Sequence, residues 1–205
     1  MYQLKQDFMN KKLSAFAFGL AAMSLFSCND SSNDGSNVAD GPKPDSVTNA
    51  ANGTETMSNI PLSKDDSAFI MEAAIGGLME VESGNIAQQN AAHARVKDFG
   101  AMMVADHTKA NDELKSFASS RGMNLPSALP ENLQKHMEEM KKIKGRSFDN
   151  HYVSMMEDDH QKTIDKFEKQ ANGGGDAQLK SWASATLPVL KKHMDSVKAI
   201  RSVIK

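Results

Sequence analysis

The stretch MMVADHTK at residues 102–109 recurs as MMEDDHQK at residues 155–162, after a spacing of 53 residues. Each copy lies in a segment whose apolar residues recur every three or four positions, which is typical of an amphipathic helix. In both copies the histidine falls on the apolar stripe of its helix. The repeat therefore predicts two long helices that direct His107 and His160 toward a shared core.

The same periodicity continues on both sides of the repeat and predicts an all-α domain over residues 62–205. No segment alternates between apolar and polar residues for long enough to indicate a sheet. Turn-forming glycine and proline separate the helical segments. The predicted helices cover about residues 63–90, 96–121, 133–144, 145–173 and 179–204, and the third of them is short. Ser63 is the predicted N-cap of the first helix, and Tyr152 falls on the apolar stripe of the fourth. The predicted stripe of the first helix consists of Ile70, Ala74, Gly77, Val81, Gly84 and Gln88.

The connections between the long helices indicate how the helices are arranged. Two connections are tight, whereas the one between the second and third long helices takes about two dozen residues and carries the short helix. A connection of that length can return along the bundle and make these two helices parallel, as in ferritin-like four-helix bundles with one crossover. An up-down-up-down bundle with a bulky connection is the alternative.

The first residues have the composition of an export signal. Three lysines within the first twelve residues precede an apolar run at 13–26 that is too short to span a bilayer. The run ends in Leu-Phe-Ser-Cys, with Cys28 where a bacterial lipobox places the lipidated cysteine. We therefore expect a lipoprotein signal peptide over residues 1–27, and an ordinary secretory signal is the alternative.

Residues 28–61 are rich in Asn, Ser, Asp and Gly and contain no aromatic residue, which predicts a disordered tether behind the lipidated cysteine. The formal net charge of −2 excludes a strongly basic nucleic-acid binder. We expect a protein of the bacterial cell envelope, anchored by lipid to the outer membrane and facing the periplasm or the cell surface. Its partner is then the membrane, and the sequence identifies no protein partner.

The predicted helices bring four ligand-type side chains to a similar height in the bundle. They are Glu80, His107, His160 and His193, with His193 estimated at ~7.5 Å from His160 along the helix axis. Imidazole and carboxylate groups suit Zn, Fe, Mn or Cu, and bundle cores often hold such sites. The alternative is a structural polar layer in which carboxylates accept hydrogen bonds from the histidines.

Other carboxylates of these helices lie near the same height. We expect Asp106 and Asp159 to accept hydrogen bonds from the histidines, with Glu82 and Glu157 nearby. Glu157 and His160 have the ExxH spacing of a di-iron ligand pair, but only one copy is present, whereas such sites use two. The remaining histidines fall off the apolar stripes and are predicted to be surface residues: His93, His136 and His151.

Several of these stretches together resemble the family called domain of unknown function 4142. The resemblance covers about residues 63–203 and rests on EVESG at 80–84, VKDFG at 96–100 with the MMVADHTKAN that follows, FDNHY at 148–152, MEDDHQK at 156–162 and TLPVLKKH at 186–193. It implies a ferritin-like four-helix bundle on secreted or lipid-anchored bacterial proteins. It implies no established activity and no ligand set.

The sequence thus leaves three functions open, and none has a predicted catalytic residue. We expect a binding or structural module, rather than an enzyme, with a transition-metal site in the bundle core. The second is a ferritin-like redox enzyme with two metal ions, which needs more inward carboxylates than the sequence offers. The third is an interaction scaffold in which the histidines only pack.

Overall fold

The structure of the chain, a computed structural model, describes residues 61–204. The predicted signal peptide, Cys28 and all of the predicted tether but Pro61 lie outside the described residues. The described part contains no β-strand, and this confirms the all-α prediction. Its five helices are α1 (Lys64–Asn90), α2 (Ala94–Ser120), α3 (Glu131–Lys142), α4 (Gly145–Gly173) and α5 (Ala177–Arg201).

The four long helices form two antiparallel hairpins, α1–α2 and α4–α5, that pack side by side. The start of α1 lies beside the end of α4, since Asp66 accepts a hydrogen bond from Gln170 at 2.6 Å. The end of α1 lies beside the start of α4, where the Asn90 amide donates to the carbonyl of Ile143 at 2.9 Å. Helix α2 is therefore parallel to α4, and the predicted single crossover, which carries the short α3, is confirmed.

Side chains cap the starts of three long helices. Ser63 Oγ accepts from the backbone N–H of Asp66 at 3.0 Å, as the sequence predicts. Asp176 accepts from Leu179 N–H at 2.9 Å at the start of α5. His93 Nδ1 accepts from Arg95 N–H at 3.2 Å before α2, a role that the surface assignment of His93 did not include. These caps satisfy N–H groups that have no partner within the helix.

The apolar stripe of α1 differs from the predicted one near its end. Val81 is only partly buried and Gln88 is exposed, whereas Ala87 and Asn90 are buried. The reason is a close approach of α1 to α2 at two glycines: a Cβ on Gly100 would lie 2.7 Å from the Gly84 carbonyl oxygen and 2.8 Å from the Ala87 Cβ. This contact turns Gly84 and Ala87 inward and Gln88 outward.

Aromatic side chains fill the core on both sides of the bundle's middle. Phe99 and Phe148 pack on Tyr152 toward the α1–α2 turn, with ring centroids 6.0 and 5.6 Å apart. Phe69 and Phe167 pack edge-to-face, 5.0 Å apart, toward the α4–α5 turn. The polar side chains described below lie between these two layers. No helix in residues 61–204 is both long and apolar enough to cross a membrane.

Candidate metal centre

Each long helix contributes one buried side chain to a polar cluster in the middle of the bundle. Glu80 lies on α1, His107 on α2, His160 on α4 and His193 on α5. Their exposed fractions are 4%, 6%, 0% and 0%, so the cluster is almost completely buried. The structure therefore brings together the four residues that the sequence singled out. One ring nitrogen from each of the three histidines lies within 4.8 Å of the other two.

Hydrogen bonds fix which nitrogen of His160 carries a hydrogen. Its Nδ1 lies 2.8 Å from the backbone carbonyl oxygen of Met156, one turn earlier on α4. A carbonyl only accepts, so Nδ1 carries the hydrogen and donates it. In the neutral ring Nε2 then has a free lone pair, which points away from α4 toward α5.

His193 is held in a complementary way. Its Nε2 lies 2.9 Å from Asp106 Oδ2 on α2, and donation to this carboxylate places the hydrogen on Nε2. Its Nδ1 lies 3.3 Å from His160 Nε2. When both rings are neutral, two lone pairs therefore face each other at this distance, which is unfavourable unless a cation lies beside both.

That distance matches shared coordination of a metal ion. Two nitrogens bound to one ion at ~2.0–2.1 Å with a tetrahedral angle lie ~3.3–3.4 Å apart. The separation of 3.3 Å between His160 Nε2 and His193 Nδ1 falls in this range. Glu80 Oε1, at 3.7 Å from His160 Nε2, borders the same point. The two imidazoles thus already have the spacing that one ion requires.

His107 completes the cluster from α2. Its Nδ1 lies 3.0 Å from Glu80 Oε2, whereas its buried Nε2 has no hydrogen-bond partner among the described residues. An unpaired buried polar atom costs free energy. All three histidines therefore share one arrangement, in which one nitrogen faces an oxygen acceptor and the other is left for a ligand. Metal-binding histidines in proteins typically show this arrangement.

Burial keeps the imidazoles neutral. Desolvation, helped by the neighbouring histidines, lowers the pKa of His107 to about 3 and that of His160 to about 4. Desolvation also lowers the pKa of His193, although Asp106 opposes this. Neutral imidazole is the form that binds a metal, so near pH 7 protons compete little for these donors.

Burial has the opposite effect on the carboxyl group. Desolvation, followed by the charge of Asp159, raises the pKa of Glu80 to about 8. Without a cation, Glu80 is therefore mostly protonated at neutral pH and stores no buried negative charge. A cation at the cluster would favour its ionised form, in which it accepts a hydrogen bond from His107 Nδ1.

The other predicted carboxylates divide into two groups. Asp106 accepts from His193 as expected, whereas half-buried Asp159 accepts from no histidine of the described residues. It pairs with Lys162 at 3.6 Å and acts on Glu80 through its charge. Glu82 instead pairs with Lys141 at 3.2 Å, and Glu157 pairs with Arg201, both away from the histidines. Glu82 follows Glu80 by two positions, about 200° around the helix, and so cannot share its face.

The heights of His160 and His193 differ from the sequence estimate. The sequence predicts an offset of ~7.5 Å along the axis, but ring nitrogens of the two residues are 3.3 Å apart. The α4–α5 turn is centred near residue 175, which reduces the offset to about three residues, or ~4.5 Å. Helical side chains lean toward their own N-terminus, so in antiparallel helices these two lean toward each other and close the gap.

An apolar wall surrounds the cluster on the side of the α1–α2 turn. Phe99 lies 6.4 Å from the His160 ring and 6.5 Å from the His193 ring, centroid to centroid. The buried Tyr152 hydroxyl has no hydrogen-bond partner in the described residues, and its pKa is raised by burial and then by the charge of Glu80. The sequence marks Tyr152 as a core residue, but nothing in the pattern shows that its hydroxyl is unpaired.

A cavity of about 200 Å³ extends from the protein surface to the cluster. Its inner wall includes Glu80 and His107, and its outer wall includes the exposed ion pair of Glu72 and Lys166, whose atoms are 2.6 Å apart. Most of the remaining wall is apolar. The sequence pattern does not predict this cavity, although Gly76 and Gly77 both line it without side chains.

Comparison with known proteins identifies the family of this chain. No curated protein and no solved structure matched the chain. The model of the family described as "Domain of unknown function (DUF4142)" matches residues 51–200, which include all four long helices almost to the end of α5. The match confirms the resemblance found in the motifs, and the chain belongs to this family of unknown function.

Proposed function

We propose that this protein is a lipid-anchored metal-binding module of the bacterial envelope that holds one transition-metal ion in its bundle core. His107 Nε2, His160 Nε2 and His193 Nδ1 bind the ion. The site of envelope attachment is Cys28, as the lipobox predicts. The observation that carries the proposal is the pair of imidazole lone pairs that face each other at 3.3 Å.

The hydrogen-bond pattern supports a metal site over a purely structural polar layer. In a structural layer, each buried nitrogen needs a protein partner, because an unpaired imidazole costs a few kcal/mol. His107 Nε2 has none in residues 61–204, and His160 Nε2 meets only another nitrogen and, at 3.7 Å, Glu80. An ion would satisfy these atoms together.

The donor set points to particular metals. Three neutral imidazoles resemble the donor set of catalytic zinc sites, in which a fourth position remains for water or a substrate. Nitrogen donors favour Cu(II) and Zn(II) over Fe(II) and Mn(II). We therefore propose Zn(II) or Cu(II) as the preferred ion. The fourth position goes to Glu80 or to a molecule that enters through the cavity.

Metal content of the full chain, purified in detergent without a polyhistidine tag, tests the proposal. After loading with Zn(II) and gel filtration, elemental analysis should find about one equivalent bound in this site. The variant His107→Gln/His160→Gln should lose it, because two of three imidazoles are gone. His93→Asn removes an imidazole outside the cluster, keeps a capping side chain and should bind normally.

The metal content of the parent and of the double variant distinguishes a metal-binding module from a scaffold protein. Equal metal content in the parent and in the double variant, with both folded by circular dichroism, would rule out the site. If Zn(II), Fe(II), Mn(II) and Cu(II) all fail to bind here, the histidines form a structural layer of a scaffold protein.

The alternative is a ferritin-like redox enzyme with two metal ions in the core. Such sites draw a carboxylate from each helix, with two ExxH pairs. Around the three histidines, Glu80 is the one buried carboxylate that the described residues provide, while Glu157 pairs with Arg201. A second equivalent that is lost in the same double variant would favour this alternative.

A further inference from the structure

A second group of metal-binding side chains lies outside the candidate metal centre, where a side chain of α3 meets α4. His136 lies on α3, and His151 and Met155 lie one turn apart on α4. All three are half-buried, so solvent still reaches them. His136 Nε2 lies 3.4 Å from Met155 Sδ, and the ring centroids of His136 and His151 are 6.0 Å apart.

These separations suit a common ion. A nitrogen bound at ~2.0 Å and a sulfur bound at ~2.3 Å lie ~3.4–3.7 Å apart for angles of ~105–120°. His136 Nε2 and Met155 Sδ are already at the lower end of this range. His151 precedes Met155 by four residues and so shares its face of α4, beside the His136 ring.

Contacts with the core and with α1 hold α3 in position beside α4. Met137 and Met140 on the inner face of α3 are buried in the core, with exposed fractions of 0% and 1%. The Asn90 side chain donates to the carbonyl oxygens of Lys141 and Ile143, which fixes the end of α3 and the start of the turn into α4. His136 is therefore presented to α4 by a fixed element rather than by a loop.

We propose that His136, His151 and Met155 bind one Cu(I) ion. The thioether is the selective ligand, because soft sulfur donors favour Cu(I), whereas Zn(II), Fe(II) and Mn(II) prefer harder donors. Asp159, one turn beyond Met155, lies on the same face of α4 and pairs with Lys162 at 3.6 Å.

This site is independent of the metal centre in the core. It shares no ligand with that centre, and its ligands come from α3 and α4 alone. The absence of metal in the core would leave the Cu(I) proposal intact, and the reverse also holds.

Competition for Cu(I) against a chromophoric Cu(I) chelator, under anaerobic conditions and on the full chain, tests the proposal. The core variant His107→Gln/His160→Gln is the background, so that core imidazoles contribute little. Met155→Leu keeps the volume of the side chain but removes the sulfur, and His136→Gln removes one imidazole. Each variant should bind Cu(I) more than about tenfold more weakly than the background. Loss of a group that only hydrogen-bonds to a metal ligand already costs about tenfold, and loss of a ligand itself should cost more.

Met102→Leu is the matched control, because Met102 is also a half-buried methionine but lies on α2 away from this group. It should retain Cu(I) as the background does. Equal retention by Met155→Leu and Met102→Leu, with both variants folded by circular dichroism, would overturn the proposal. So would the failure of the background to compete for Cu(I), because its three proposed ligands are intact.

Discussion

Asp66 and Asp149 hold opposite ends of the bundle by the same contact. Asp66, in the first turn of α1, accepts hydrogen bonds from two consecutive backbone N–H groups of the α4–α5 turn, each at 3.1 Å. Asp149, near the start of α4, accepts from two consecutive N–H groups of the α1–α2 turn, each at 3.0 Å. Each hairpin thus uses one carboxylate to hold the turn of the other hairpin, which fixes how the two hairpins are aligned.

Replacement of Asp149 should therefore weaken the whole domain. Asp149→Ala leaves two N–H groups without their acceptor, and each such loss costs ~1–3 kcal/mol. We expect the free energy of unfolding in urea at pH 7 to fall by about 2–6 kcal/mol. Asp158→Ala, an exposed aspartate on the same helix, should change it little. Equal losses for the two variants would show that the turn contact is not a stabilising one.

Alanine substitution should have opposite effects on stability at Gly100, which lies at the α1–α2 contact, and at Gly76, which does not. Gly100→Ala places a Cβ at 2.7 Å from the Gly84 carbonyl oxygen, so the helices must move apart, at a cost of about 1–3 kcal/mol. Gly76→Ala, also within a helix, meets nothing within 4 Å and should gain about 0.5–1 kcal/mol through helix propensity. Urea unfolding measures both. Destabilisation by both variants alike would contradict the close contact.

Most of the fold could be predicted from periodicity and turn residues. Ser63, the glycine turn near residue 174 and the long crossover gave the helix bounds and the parallel pair, because local signals mark helix ends and connection length limits topology. The drift of the α1 stripe could not be predicted. It depends on how closely Gly84 and Gly100 bring two backbones together, which is a property of the packed pair rather than of either helix.

For the candidate site, the residue types could be predicted but the bonding could not. The repeat around His107 and His160 and the apolar stripes indicate which side chains enter the core. Which ring nitrogen is free depends on partners such as the Met156 carbonyl, and backbone acceptors leave no trace in a sequence. Glu157 shows that spacing alone does not identify a ligand. It has the ExxH spacing to His160, but in the structure it pairs with Arg201.

The metal-free protein should be most stable near pH 6.5. His107 and His160 have pKa values of about 3 and about 4 in the folded state and 6.5 as reference values, so the unfolded state binds more protons and stability falls as pH drops below 6.5. Glu80 titrates at about 8 against 4.5, so the folded state binds more protons and stability falls as pH rises toward 8.

Between pH 4.5 and 6.5 the two histidines outweigh the one carboxyl group, which leaves a net slope of about 1 kcal/mol per pH unit that falls to zero near pH 6.5. Urea unfolding with a chelator present, from pH 4.5 to 8, measures this profile. Glu80→Gln should abolish most of the fall above pH 6.5, because an amide does not titrate. A parent profile that rises steadily up to pH 8 would contradict a protonated Glu80.

The contact between Asp106 and His193 should tune metal affinity in the core. Asp106→Ala leaves the imidazole in place but removes the acceptor that fixes its orientation and tautomer, and such losses typically cost about 10–100-fold in affinity. Zn(II) competition against a chromophoric chelator measures this. Asp98→Ala, an exposed aspartate of the same helix, is the control and should bind as the parent does. An unchanged affinity in Asp106→Ala would mean that His193 does not bind the ion.

The cavity should be the path by which metal reaches the core. Gly76 lines it, and open space surrounds the position of a Cβ there, so Gly76→Leu can extend a side chain into the passage without displacing a neighbour first. We expect Zn(II) uptake, followed by stopped-flow with an excess of a fluorescent zinc indicator, to slow several-fold, while the final amount bound stays the same. Gly76→Ala controls for the helix effect of losing glycine and should load at the parent rate. Equal uptake rates for the leucine and alanine variants would show that the ion enters by another route, such as local opening of the bundle.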